Sequence, residues 1–188
     1  WHGTLDDAAR ARSVLVAATS DEAASVRARA VPVAVAIAEH LRAQGRHVVL
    51  VIDSITRYAL ALREIGLAAG EPVALRGYPP SVFSALPRIV ERCGAVRGQG
   101  AITAVLSVLT ESDDIDDPMA ETMRSLLDGH LVLSRALAEE GHYPALDVTR
   151  SISRVMTKLV EPDARAYAQV ALADLARCQH AKLQIDAG

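Results

Sequence analysis

Short unbroken apolar runs alternate with stretches whose apolar residues recur every three or four positions. The two rhythms predict strands and helices in turn. Val48-Val49-Leu50-Val51-Ile52 runs straight into Asp53 and reads as a strand buried on both faces. Ile55, Tyr58, Ala59, Leu62 and Ile65 then mark one face of a helix that Gly70-Glu71-Pro72 ends. Upstream, Ser13 to Ala18 is another aliphatic run and a predicted strand. Thr19 and Glu22 have capping-box spacing, so a helix is predicted from there to about Gln44, kinked at Pro32 and stopped by Gly45. Downstream, Arg76-Gly77-Tyr78-Pro79-Pro80 is a stiff loop, and Ser81 to Arg92 is helical despite Pro87. Gly94 to Gly100 turns, and Ala101 to Leu109 is an aliphatic, β-branched strand. An acidic loop, Glu111 to Asp117, precedes Pro118 and a short helix over Met119–Leu127. A strand over His130–Ser134, a helix over Arg135–Glu140 and a strand over Leu146–Ser153 follow. An Ala/Leu-rich helix is predicted from Asp163 to Gln184.

Strands alternating with helices predict an α/β fold whose mostly parallel sheet is flanked by helices. No repeat or low-complexity linker divides the chain. Its 188 residues suit one core, and with 51% apolar but 3% aromatic residues that core is built from Ala, Val, Leu and Ile. A net charge of -3 argues against a nucleic-acid partner. Cys93 and Cys178 have no metal-ligand spacing, which fits two ordinary thiols in a reducing cytosol. No run approaches the ~20 apolar residues of a membrane span. The chain opens on Trp1, as expected of a fragment or a processed product.

Asp53 is the first candidate for chemistry. A carboxylate at the carboxyl end of a buried strand sits where open α/β sheets bind ligands, and it has the form of a Walker B aspartate serving Mg²⁺. The competing reading is a cap on the next helix. The acidic loop lacks the glycine and terminal glutamate of a calcium-binding EF-hand loop, so it reads as solvated. His130 and His142 read as structural, and no Ser/His/Asp nucleophile motif occurs.

Longer blocks carry a resemblance. Val51-Ile52-Asp53-Ser54-Ile55-Thr56-Arg57-Tyr58-Ala59, Arg63-Glu64-Ile65-Gly66-Leu67-Ala68-Ala69-Gly70-Glu71-Pro72 and Arg76-Gly77-Tyr78-Pro79-Pro80-Ser81-Val82-Phe83 follow one another in order. Leu86-Pro87-Arg88, Glu111-Ser112-Asp113-Asp114, Ser125-Leu126-Leu127-Asp128-Gly129-His130 and Gly141-His142-Tyr143-Pro144-Ala145 come after them. Together, from about Ser13 to Val155, they resemble the catalytic domain of type III secretion and flagellar export ATPases, relatives of the rotary ATP synthase α and β subunits. The resemblance implies a RecA-like core over residues 1–160 and the start of a C-terminal helical region over 161–188. It implies hydrolysis of ATP to ADP and phosphate with Mg²⁺, in a homohexamer that powers protein export. The implied partners are stator and stalk proteins, the export gate and chaperone–cargo complexes, at the cytoplasmic face of the bacterial inner membrane.

Four residues carry over. Asp53 matches the aspartate that acts on Mg²⁺ through bound water. Arg154 matches the arginine finger that enters the neighbour's site, where its own chemistry alone reads as a salt bridge. Tyr143 matches the residue that packs on adenine, against an ordinary half-buried tyrosine. Arg57 is placed near the γ-phosphate or, alternatively, paired with a nearby acid.

The chain also departs from the family. No Gly-x-x-x-x-Gly-Lys-Ser/Thr loop occurs in it, nor does the glutamate segment that follows that loop in the family. Loss of that loop together with the sheet strand that precedes it in the family is expected to leave apolar sheet edges open. The expectation is a fragment of a working ATPase, inactive alone. The alternative is a non-catalytic paralogue acting as a binding module. A Rho-like or vacuolar-type motor fits least, because basic RNA-binding character is lacking and the export-type blocks would go unexplained.

Overall fold

The computed structural model describes residues 2–110 and 117–186. Contacts divide the chain into two compact units, Trp1–Leu126 and Leu127–Gly188.

The first unit contains α1 (Asp7–Ala11), α2 (Ala24–Ala43), β1 (His47–Ile52), α3 (Ile55–Ala68), α4 (Pro80–Val90), β2 (Gly94–Ala95), β3 (Ala101–Leu106) and α5 (Pro118–Leu126). β1 pairs in parallel with β3, from His47 opposite Ala101 to Ile52 opposite Leu106. β2 adds an antiparallel edge to β3. The five residues between β2 and β3 are far too few for a parallel crossover, which needs a dozen or more. Val35 and Ala38 of α2, Ile55, Tyr58 and Ala59 of α3, and Leu50, Ile52 and Ile102 of the sheet form the core. Val82, Leu86 and Ile89 extend it along α4, and Met119 and Met123 along α5. α2 runs unbroken through Pro32, and α4 through Pro87.

β1 is buried on one face only. Val49 and Val51 are 66% and 60% exposed, and Val105 beside them 54%. The helices cover the face bearing Leu50 and Ile52, and nothing described covers the other. Ser13–Ala18 forms no strand, because it finds no ladder partner, and Val14 and Leu15 are exposed. The capping box also fails to form. Glu22 N donates to Thr19 O at 3.2 Å and closes a turn, and α2 starts later, after Ala23, with no side-chain cap.

Two contacts tie α2 to the segments around it. Arg92, after α4, makes a two-pronged pair with Glu39 of α2, Nε–Oε1 3.0 Å and Nη2–Oε2 2.5 Å. Gly100 N donates to Arg42 O at 2.9 Å, an approach so close that a Cβ at Gly100 would collide with the Arg46 backbone.

The second unit contains β4 (Gly129–Leu133), α6 (Arg135–Glu139), β5 (Leu146–Ser153), α7 (Met156–Leu159) and α8 (Pro162–Asp186). β4 and β5 are antiparallel, with an irregularity between His130 and Val132. With β1·β3 the single parallel pairing among the described residues, the sheets are mixed, not mostly parallel. The 12 residues between β4 and β5 hold only the five-residue α6 and let β5 fold straight back on β4. No described residue of this unit is fully buried. α8 packs on β5 and α7, and Tyr167 and Val170 remain exposed.

Candidate functional site at the tips of two parallel strands

The parallel register puts two polar residues side by side where the strands end. Asp53 follows Ile52 and Ser107 follows Leu106, and those two are register partners. Both side chains continue the alternation of the open face, in line with Val51 and Val105. Ser107 Oγ donates to Asp53 Oδ1 at 2.6 Å. Asp53 Oδ2 has no hydrogen-bond partner among the described residues.

The turn after Asp53 is held from several sides. Ser107 N donates to Ile52 O at 3.1 Å, and Ile55 N donates to Ser107 O at 3.0 Å. Ser54, only 4% exposed, is the N-cap of α3 and accepts the Arg57 N–H at 3.2 Å. The cap is therefore Ser54 and not Asp53, which leaves the carboxylate outside the helix's own hydrogen bonding. Thr56 Oγ1 accepts the Leu109 N–H at 2.8 Å and so continues the seam between the two segments.

A cleft of ≈ 210 Å³ opens beside Asp53 and is lined by Asp53, Ser54, Arg57, Tyr58, Arg27 and Val31 among others. Arg57 is exposed, and its guanidinium has no ion pair among the described residues, so the alternative pairing with a neighbouring acid is not seen. Arg27 is engaged with Glu64 Oε2 and Glu22 O. Burial pushes the Tyr58 phenol up, against the pull of Arg88 and Arg92, so the ring stays a neutral wall of the cleft.

Asp53 and Arg57 are thus brought together in the first unit. Arg154 and Tyr143 belong to the second. Arg154 follows β5, with its N–H donating to Asp128 O at 2.7 Å and its side chain at the surface. Tyr143 sits between α6 and β5 and is 74% exposed, not half-buried. His130 Nε2 lies 3.1 Å from Arg150 O and His142 N donates to Leu137 O, which are structural contacts. The acidic loop from Glu111 to Asp116 lies outside the described residues, while Asp117 accepts the N–H groups of Met119 and Ala120 at the start of α5.

The donor set is compatible with Mg²⁺ bound to a nucleotide. No group of three metal-ligating side chains occurs among the described residues, as a dedicated protein cage would require. Mg²⁺ on phosphates keeps several waters and needs only one or two carboxylates. Sequence reasoning missed Ser54 and Ser107. Ser107 was signalled as the one hydroxyl between Leu106 and Val108, but its meaning depends on the register with β1.

Residues 1–153 match the ATP synthase α/β family, nucleotide-binding domain. The chain is 57% identical over 159 residues to a type 3 secretion system ATPase of Pseudomonas syringae pv. tomato, covering 85% of this chain and 35% of that protein. It is 55% identical over 164 residues to a flagellum-specific ATP synthase of Salmonella typhimurium, covering 87% of this chain and 36% of the relative. The assembled ATPase EscN of enteropathogenic E. coli, solved in complex with its central stalk EscO, superposes with a TM-score of 0.86 at 44% identity, over 96% of this chain and 43% of that one. The chain thus spans about a third of the length of these curated relatives. With 153 of its residues matched, the chain belongs to the ATP synthase α/β family, and secretion and flagellar-export ATPases are among its relatives.

Proposed function

We propose that the chain is the RecA-like core segment of an ATPase that hydrolyses ATP to ADP and phosphate to power type III secretion or flagellar export. The observation that carries this reading is the exposed Asp53 carboxylate at the paired ends of parallel strands β1 and β3, with Ser54 capping α3 in its place. In this reading Asp53 holds Mg²⁺ through water, and Arg57 faces the terminal phosphate. Mg²⁺ when bound supplies charge neutralisation on the phosphate oxygens. Tyr143 offers its exposed ring to adenine. Arg154 is the finger that enters a neighbouring subunit's site, where a guanidinium stabilises the transferring phosphoryl group. Residues 161–188 begin a C-terminal helical region.

The proposed setting is a homohexamer at the cytoplasmic face of the inner membrane, with stalk and stator proteins, an export gate and chaperone–cargo complexes as partners. EscN, itself an assembled ATPase bound to a central stalk, supports a ring with such a partner. The chain contains no phosphate-binding loop, so turnover belongs to a longer protein that supplies one. The same fact favours the second reading, a non-catalytic binding module.

Calorimetry of Mg²⁺-ATP binding separates them, with this chain measured beside a form extended upstream through the phosphate loop. Binding confined to the extended form supports the ATPase, and no binding in either supports the module. In the extended ring, Arg154→Ala should cut turnover while sparing nucleotide binding. Asp53→Ala should weaken both together, and an unchanged affinity for the metal complex contradicts its role.

A further inference from the structure

Asp53 ends β1 as a carboxylate with two oxygens in different circumstances. Oδ1 accepts the Ser107 hydroxyl at 2.6 Å, within the 2.5–2.7 Å range of a charge-assisted O–H···O⁻ bond. Oδ2 has no hydrogen-bond partner among the described residues. We propose that Ser107 is a positioning residue for the metal-facing aspartate. Its hydroxyl fixes the carboxylate on one oxygen and leaves the other for water on a Mg²⁺-nucleotide. This rests on the function proposed above.

Ser107 suits the role because its own backbone has no freedom there. Its N–H donates to Ile52 O and its carbonyl accepts from Ile55 N, so it is fastened on both sides of Asp53. A hydroxyl one bond away from a main chain held this way is a fixed donor. The hydroxyl has a second acceptor in reach, Ile52 O at 3.5 Å. It therefore need not be orphaned if the carboxylate leaves, and the shorter contact marks the ionised aspartate as its preferred acceptor. A partially exposed bond of this kind adds little to net stability, because folding exchanges it for a bond to water. Its consequence lies in geometry: one rotamer of Asp53 is selected before metal arrives. Groups that orient direct metal ligands typically matter about 10–100-fold in metal affinity, and because Asp53 acts through water the low end of that range applies to Ser107.

Thr56 provides the comparison. Its hydroxyl joins the same two segments through Leu109 N at 2.8 Å, two residues further along, and has no hydrogen bond to Asp53. A purely structural role for Ser107 makes the two hydroxyls equivalent, whereas a positioning role does not.

The test uses the full-length ADP-bound protein titrated with Mn²⁺ and read by paramagnetic resonance, with urea unfolding alongside. Ser107→Ala should raise the half-saturating Mn²⁺ concentration about tenfold, and Ser107→Thr, which keeps the hydroxyl, should restore it to within about twofold. Thr56→Val should lower the unfolding midpoint and leave Mn²⁺ saturation unchanged. Should Ser107→Ala fail to fold, Ser107→Cys, of similar size but a weak donor, replaces it with the same expectation. The proposal is overturned if Ser107→Ala behaves as Thr56→Val does, or if threonine gives no rescue. A wild-type protein that takes up no Mn²⁺ with ADP overturns the ATPase reading itself. That failure shows in the unmutated protein, so the two are told apart.

Discussion

Ser54→Ala should destabilise the first unit by about 1 kcal/mol, within the 0.5–2 kcal/mol measured for lost N-caps, whereas Asp53→Ala should stay within about 0.5 kcal/mol of wild type. The contrast follows from which side chain closes α3. Ser54 Oγ accepts the Arg57 N–H at 3.2 Å at a site only 4% exposed, so alanine leaves that donor unmet with little water to replace the partner. Asp53 accepts no helix N–H, and when it is removed Ser107 can turn to Ile52 O. With a urea m-value of about 2 kcal/mol/M, the Ser54 change moves the midpoint by about 0.5 M, and the melting temperature by roughly 2–4 °C at this chain length. Circular dichroism in urea reads the first quantity. Hydrogen exchange at the Arg57 amide reads the local loss, and it should quicken in Ser54→Ala alone. An Asp53→Ala protein as unstable as Ser54→Ala, with the Arg57 amide equally unprotected, would refute the reasoning and return Asp53 to the role of a cap.

Two further outcomes rest on packing and charge. Leu86, fully buried on α4, should cost about 2–5 kcal/mol as Leu86→Ala by the same urea assay, the range for an emptied core leucine. The hydrogen bonds from Arg92 hold the Glu39 carboxyl below its ordinary value of 4.5, against some desolvation. Its folded-state value is the lower one, so its contribution is present above the unfolded value and is lost as pH falls through the folded value. Both side chains remain about a third exposed, so solvent limits the pair to about 1 kcal/mol. Glu39→Gln should therefore lower the unfolding midpoint at pH 7, and the gap from wild type should close progressively below pH 4.5.

How far the sequence revealed the fold depended on whether the deciding contact was local. The helix from Ile55, the stop at Gly70 and the strand ending at Ile52 are set by periodicity and by turn residues within a few positions, and all three appear. Ser13–Ala18 has the composition of a strand yet forms none, because a strand exists only where another edge pairs with it. Val49 and Val51 look buried by hydrophobicity alone, but burial on the second face needs a covering element that no local pattern guarantees. The mostly parallel sheet failed for a similar reason. Strand direction was inferred from the alternation of elements, whereas the five-residue β2–β3 connection is too short for a crossover and β5 folds back on β4 across a connection that holds only the five-residue α6.

The site shows the same limit more sharply. Asp53 was legible, since an apolar run ending in one carboxylate is a visible signal. What frees that carboxylate from a capping role was not, because a free and a capping aspartate give the same letters. The distinction is made by Ser54, one residue on, and by Ser107, 54 residues on, acting on opposite sides of the turn. Ser54 takes over the cap and frees the carboxylate from the helix. Ser107 then holds one of its oxygens, because the parallel register brings Leu106 beside Ile52 and carries the next residue of each strand past the end of the ladder together. A one-residue slip of β3 would turn Ser107 to the opposite face and aim a valine or leucine at Asp53. The chemistry open to Asp53 is therefore set by the packing that fixes this register, from Leu50 and Ile52 to Ile102, and not by the motif that announces it.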